Sequence, residues 1–307
     1  MRKTTRTWLI RLLLAAAVMA AILSRQNRTA LAEALQRFDI RYALAILAVY
    51  GSALPLFAWR WKLVARALGI GGRYRDYLRG LWFSQAVGEL GPPIVVGEWA
   101  RFHALRGQAN PGLLLVAQLV DRCSGHLVLL LIVLGLMPSY RRGLLPLETL
   151  VPVPALLGLL LVVALVAGLM LGRRLWRLPR PRAKSVARLF NPLLHPGHYW
   201  LSFILQGLLV LNWVLAAAGL GLTDNLGRVA WLAPLLLMGT GSLPGLVSDW
   251  GKREAAAILL LMPAGLAPEQ ALAVSLIYGA GHLAVALPGA LALRLYRPGV
   301  SGGYQNR

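Results

Sequence analysis

Nine ionisable residues of this 307-residue chain sit inside stretches that are otherwise almost wholly apolar. Five lie in the first half (Glu89, Glu98, Arg101, Asp121, Arg122) and four in the second (Asp249, Lys252, Arg253, Glu254). Charges in such surroundings are costly, and they survive where they pair with one another or border a wet cavity. Glu98 and Arg101 are three residues apart, on one face of a helix, and can pair. Arg253 and Glu254 are neighbours that diverge around a helix, so each needs a partner elsewhere. If the two segments meet at the centre, Glu98 with Arg253 and Glu254 with Arg101 would satisfy all four. Two chemistries stay open. The pairs glue helices together, or they border a polar path where arginines meet a phosphate, whose oxygens suit the two-pronged guanidinium.

The candidates for a headgroup cavity are therefore Glu98, Arg101, Asp249, Lys252, Arg253 and Glu254. Behind them stand Glu89, Asp121, Arg122, His126 and His282. Asp121 and Arg122 read as structural, and His126 and His282 as helix-packing histidines. Glu89 has no ready explanation. Five scattered histidines in no ligand spacing and a single cysteine, Cys123, give no metal site and no intrachain disulfide. No cofactor is expected.

The elements that must position these charges are set by composition. The chain is 58% hydrophobic with a mean hydropathy of +0.63, more apolar surface than a soluble domain of this length can hide. Runs of membrane-spanning length occupy residues 8–24, 42–59, 112–137, 150–171, 200–222 and 270–293. They are continuous runs of Leu, Ala and Val without the alternation of a β-barrel, so the fold class is an all-α polytopic membrane protein. The net charge of +21 fits basic loops facing anionic headgroups rather than nucleic acid. The N-terminus resembles a signal peptide, but the polar "SRQNRT" favours an uncleaved first span.

Lys and Arg are densest between spans at 60–79, with six, and at 173–188, with seven. Placing both in the cytoplasm puts both termini there. That scheme requires residues 78–101 and 229–253 to enter the membrane and turn back, as two broken re-entrant hairpins. Each has a Gly/Pro break followed by Gly and a charge cluster: "GELGPPIVVGEWAR" from Gly88 and "GSLPGLVSDWGKRE" from Gly241. "SGHLVLLLI" from Ser124 is echoed by "AGHLAVALP" from Ala280. The offset of about 155 residues, with an odd number of spans between, predicts an inverted repeat in one membrane domain (1–307). Its halves are about 8–137 and 150–295. Residues 173–198 interleave arginines with apolar residues and read as a basic segment along the inner interface. "FAWRWKLVARALG", 57–69, reads as an interfacial anchor with Trp59 and Trp61 bracketing Arg60.

Four ordered blocks resemble a known family. They are "AWRWKLVARALG", "GPPIVVGEWARFHALRGQ", "VAQLVDRCSGHL" and "SDWGKREAAAILLLMPAGLAPEQALAVSLIYGAGHL". They are similar to the lysylphosphatidylglycerol synthase transmembrane region, or flippase-like, family. Its Arg-Trp, Gly-acid-x-x-Arg, Asp-Arg and Gly-x-Arg-Glu blocks fall on Arg60–Trp61, Gly97–Glu98–Arg101, Asp121–Arg122 and Gly251–Arg253–Glu254. The break "GELGPPIVVG" departs from the family's more usual Pro, two small residues and a Gly pair. The resemblance implies a lipid translocase handling a phospholipid, glycolipid or hopanoid-type lipid, with membrane lipids as its partners. Full lysyl-lipid synthases add a soluble acyltransferase-like domain, whereas this sequence stops at Arg307, so aminoacyl transfer is not expected. No P-loop occurs, so movement would be passive or coupled to an ion gradient through Glu98, Asp249 or Glu254, and neither a DxD motif nor a large loop occurs, which argues against an enzyme. A lipid-modifying enzyme of glycosyltransferase type and a non-transporting partner of an envelope lipid-synthesis enzyme remain the alternatives.

Overall fold

A computed structural model describes residues 20–24, 26–90, 97–139, 196–242 and 250–291. The expected span 150–171, most of the basic segment 173–198, both Gly/Pro breaks and Asp249 lie outside the described residues. What is described is helical. α1 (Arg28–Gln36) starts at Asn27, whose side chain accepts from the N–H groups of Thr29 and Ala30. α2 (Ile40–Ala67) starts at Asp39, which caps Arg41 in the same way. Then come α3 (Tyr74–Leu90), α4 (Glu98–Ala104) and α5 (Pro111–Ser139). After the undescribed stretch follow α6 (Gly197–Gly219), a 3-10 turn (Thr223–Asn225), α7 (Leu226–Ser242), α8 (Lys252–Leu261) and α9 (Pro268–Leu291). Pro111 and Pro268 each open a long helix, where the missing N–H costs nothing and the fixed φ helps.

Four helices, α2, α5, α6 and α9, are long and apolar enough to cross a membrane. With no strand among the described residues, the chain is an all-α polytopic membrane protein. The other two expected spans fall mainly or wholly outside the described residues. At 17 residues, α3 and α7 are each about 25 Å long, short of the ~30 Å of hydrocarbon, and α4 and α8 are shorter still. The repeat is therefore one of element lengths as well as motifs: long helix, 17-residue helix, break, short helix, long helix, twice over. Packing repeats with it. α2 lies on α9 as α6 lies on α5, and α3 lies on α9 as α7 lies on α5. α2 and α6, which exchange with each other, pack together at the centre. Two apolar clusters fill the interior: one around Trp61, Tyr77 and Leu105 of the first half, and a larger one around Trp213, Leu236 and Leu261 of the second, which also takes in Ile46 of α2 and Leu129 of α5.

The broken segments are hairpins. Gly97 lies against Ser84 and Gly80 against Ala104, so α4 runs back along α3. Arg228 Nη1 donates to the Ala264 carbonyl at 2.9 Å, which brings the start of α7 to the end of the α8 turn. Both hairpins extend beyond the bounds read from the sequence. The first starts at Tyr74 and reaches Ala104, because its polar, Arg-rich first turn is helical too.

The first hairpin is clamped to the second half at α9. Trp82 Nε1 donates to the Val285 carbonyl at 2.8 Å, and Gly289 rests on the Trp82 backbone. A Cβ at Gly289 would meet the Trp82 carbonyl oxygen and stand 2.7 Å from its carbon, and backbone cannot swing aside as a side chain can. Gly289→Ala is expected to destabilise the protein by about 1–3 kcal/mol, as overpacking does. A thermal melt in detergent matching that of the parent would disprove so close an approach.

Candidate headgroup cavity

α5 carries the centre of the first charge cluster. Asp121 is 2% exposed and uses both oxygens: Oδ1 accepts from Arg60 Nε at 2.9 Å and Oδ2 from Arg101 Nη2 at 2.6 Å. Arg60 Nη1 also donates to Ser202 Oγ of α6 at 3.1 Å. The Arg101 guanidinium lies 4.4 Å over the Trp61 ring. Glu98 accepts from Arg122 at 2.6 Å and stands 3.6 Å from Arg101, the pair expected from their spacing. One network thus ties α2, α4, α5 and α6 together.

In the second half, Glu254 is fully buried. Its Oε2 accepts the Gly251 N–H at 2.6 Å, the back-reaching half of a capping box. Gly251 has φ 92°, a conformation glycine adopts without strain, and this turns its N–H toward the helix. Glu254 Oε1 accepts from Arg253 at 2.9 Å and from Ser275 Oγ of α9 at 3.2 Å. Arg253 in turn lies over Trp250 and Tyr278, 4.7 and 5.9 Å from the ring centres.

Several expectations are corrected here. The pairs Glu98 with Arg253 and Glu254 with Arg101 do not form, since each carboxylate finds its guanidinium within its own half. Arg253 and Glu254 do not diverge. Glu254 folds back to cap its helix, and this brings its second oxygen onto Arg253. Arg60 is not an interfacial anchor: it is 6% exposed, whereas Trp59 beside it is 55% exposed. Reasoning from sequence missed this residue in the cluster, although the Arg-Trp block had marked the position.

Glu89, unexplained by sequence, stands 3.4 Å from His282 Nδ1 of α9. His282 is stacked on Tyr50, ring centres 3.6 Å apart. His126 Nδ1 lies 2.9 Å from the Arg122 carbonyl oxygen one turn earlier in α5, and the residue lines the cavity described next. Lys252 heads α8 and does not line the cavity described next.

Both clusters and the Glu89–His282 pair border one cavity of about 260 Å³. Every helix from α2 to α9 lends it at least one residue, so it lies where the two halves meet. Four guanidiniums (Arg60, Arg101, Arg122, Arg253) but only two carboxylates (Glu89, Asp121) reach its wall. Arg101 Nε, Glu89 Oε2 and His282 Nε2 have no partner among the described residues. Such a wall suits an anionic oxygen group, which can take several N–H bonds at once. Among the described residues no three His, Cys, Asp or Glu side chains converge where a metal could sit.

A family model described as the lysylphosphatidylglycerol synthase TM region matches residues 8–289. The chain belongs to that family. Comparison with curated proteins and with solved structures returned no match. The match runs across both hairpins and all eight helices that build the cavity, so the lysylphosphatidylglycerol synthase TM region here comprises both halves of the repeat. As a member of it, the protein is a membrane protein of lipid handling.

Proposed function

We propose that the protein carries a lipid with an anionic, phosphate-type headgroup between the leaflets of the cytoplasmic membrane, both termini facing the cytoplasm. The observation behind this reading is the convergence of arginines from both halves on one central cavity. A phosphate crossing hydrocarbon needs its charge screened throughout. Guanidiniums supplied by α2, α4 and α5 on one side and α8 on the other can hand it across without exposing it to lipid. The cavity suits a headgroup rather than a whole lipid, so the acyl chains would stay in the bilayer. Two hairpins related by a repeat fit alternating access, in which one half opens as the other closes.

The test is movement of fluorescent phosphatidylglycerol in vesicles holding the purified protein. Arg101→Gln combined with Arg253→Gln is expected to slow it about ten- to a hundredfold, the loss of charged hydrogen bonds from each half. A double variant as fast as the parent, equally monodisperse in detergent, would remove the arginines from the path and with them this function.

A further inference from the structure

Three carboxylates are buried among the described residues: Glu89, Asp121 and Glu254. Asp121 and Glu254 accept from guanidiniums, as does the less buried Glu98. Each of these carboxylates is thus held by a guanidinium, a group that keeps its protons in proteins. Glu89 differs. Its near partner is a histidine, the side chain whose ordinary titration falls between pH 5 and 8. Glu89 sits on α3, in the first hairpin, and His282 on α9, in the second half, 193 positions apart. The pair therefore spans the interface that alternating access would have to open. Both residues line the cavity, and Glu89 Oε2 and His282 Nε2 lack partners.

We propose that Glu89 and His282 form a proton-exchange site that couples one proton to each anionic headgroup carried. The inference rests on the translocation reading and extends it to the driving force. With Nδ1–H of neutral His282 directed at Glu89 Oε1, the Nε2 lone pair is left to accept a proton from cavity water. One N–H bond forms there and one O–H bond of hydronium breaks, giving an imidazolium beside the Glu89 carboxylate. The same N–H bond breaks on the far side, returning the proton to water as the headgroup leaves. A singly charged phosphate moving with that proton adds no net charge to the cavity, which lowers the cost of the crossing.

The surroundings fit this role. Tyr50 of α2 and Tyr278 of α9 sandwich the imidazole, ring centres 3.6 and 4.8 Å away, and hold it in place. Arg253 of α8 and Trp250 just before that helix face Glu89. Around the cavity stand Arg60 of α2, Arg101 of α4, and Asp121, Arg122 and His126 of α5.

The experiment uses the full protein in vesicles of phosphatidylglycerol and phosphatidylethanolamine, with fluorescent phosphatidylglycerol as probe and a pH dye trapped inside. An acid-outside gradient of about two pH units, spanning the histidine range, is expected to speed inward movement about three- to tenfold over the rate without a gradient. The lumen should acidify along with it. In Glu89→Gln and His282→Gln the ratio of the two rates should fall to one, whatever the absolute rates. Glu98→Gln, at an arginine-held carboxylate, should keep the parent's ratio. A parent indifferent to the gradient overturns the coupling while leaving translocation intact, and this needs no variant to fold. Gln variants that keep the parent's ratio also overturn it. Absence of lipid movement under every condition sinks translocation and coupling together.

Discussion

Asp121→Ala is expected to destabilise the protein by about 3–5 kcal/mol, the usual cost of breaking a buried ion pair from one side. Asp121 is the shared partner of Arg60 and Arg101, and both guanidiniums are less than a tenth exposed. Removing the carboxylate leaves two cations in a protein interior with only partial compensation. Arg60 keeps Ser202 Oγ, and Arg101 keeps Glu98 at 3.6 Å and the Trp61 ring. The melting temperature in detergent should fall on the order of 10 °C for a chain this size. Asp121→Asn should recover part of this, since one amide oxygen can still accept from one arginine. Lipid movement should fall with either change, because Arg60 and Arg101 would turn from the wall toward whatever acceptors remain. A melt unchanged in Asp121→Ala would mean that the two arginines find partners without it.

Glu254→Ala should cost as much, about 3–5 kcal/mol, and through a different combination of losses. One fully buried carboxylate caps α8 at Gly251, neutralises Arg253 and ties α8 to Ser275 on α9. Glu254→Gln separates these roles. Its amide oxygen can still accept the Gly251 N–H, a cap worth about 1 kcal/mol, but it no longer carries the charge that balances Arg253. The expected order of stability is therefore parent, Glu254→Gln, then Glu254→Ala, with the larger gap between parent and Gln. Melts that place Glu254→Gln level with the parent would show that Arg253 does not depend on this charge.

How far the site could be read in advance varies residue by residue. Glu98 and Arg101 were legible, because three residues of helix put two side chains on one face regardless of the fold. Arg60 was not. Between Trp59 and Trp61, near the end of a span, it has the sequence appearance of an anchor. Whether it is one depends on how α2 is rotated. The rotation turns Trp59 to the outside and both Arg60 and Trp61 inward. The cross-half pairs failed for a related reason. Sequence spacing says which residues share a face, but not how far that face stands from another helix. Glu98 met Arg122 of α5 before any residue of the second half could reach it. Glu89 lacked a partner on paper because its partner is 193 positions away, and no local rule connects them.

By itself the sequence determined that this is a helical membrane protein, that it has two Gly/Pro-broken segments, and that the chain is built as a repeat. Hydropathy, break residues and motif spacing act over one helix or less, and the bilayer makes them decisive, since backbone in lipid must satisfy its own hydrogen bonds. Only the tertiary structure decided who pairs with whom: Asp121 with two arginines, Glu254 with its own neighbour, Glu89 with His282. Charges buried in a low-dielectric interior interact strongly only at contact distance. Such contacts are set by how helices from distant parts of the chain are rotated and packed, which no stretch of sequence records alone.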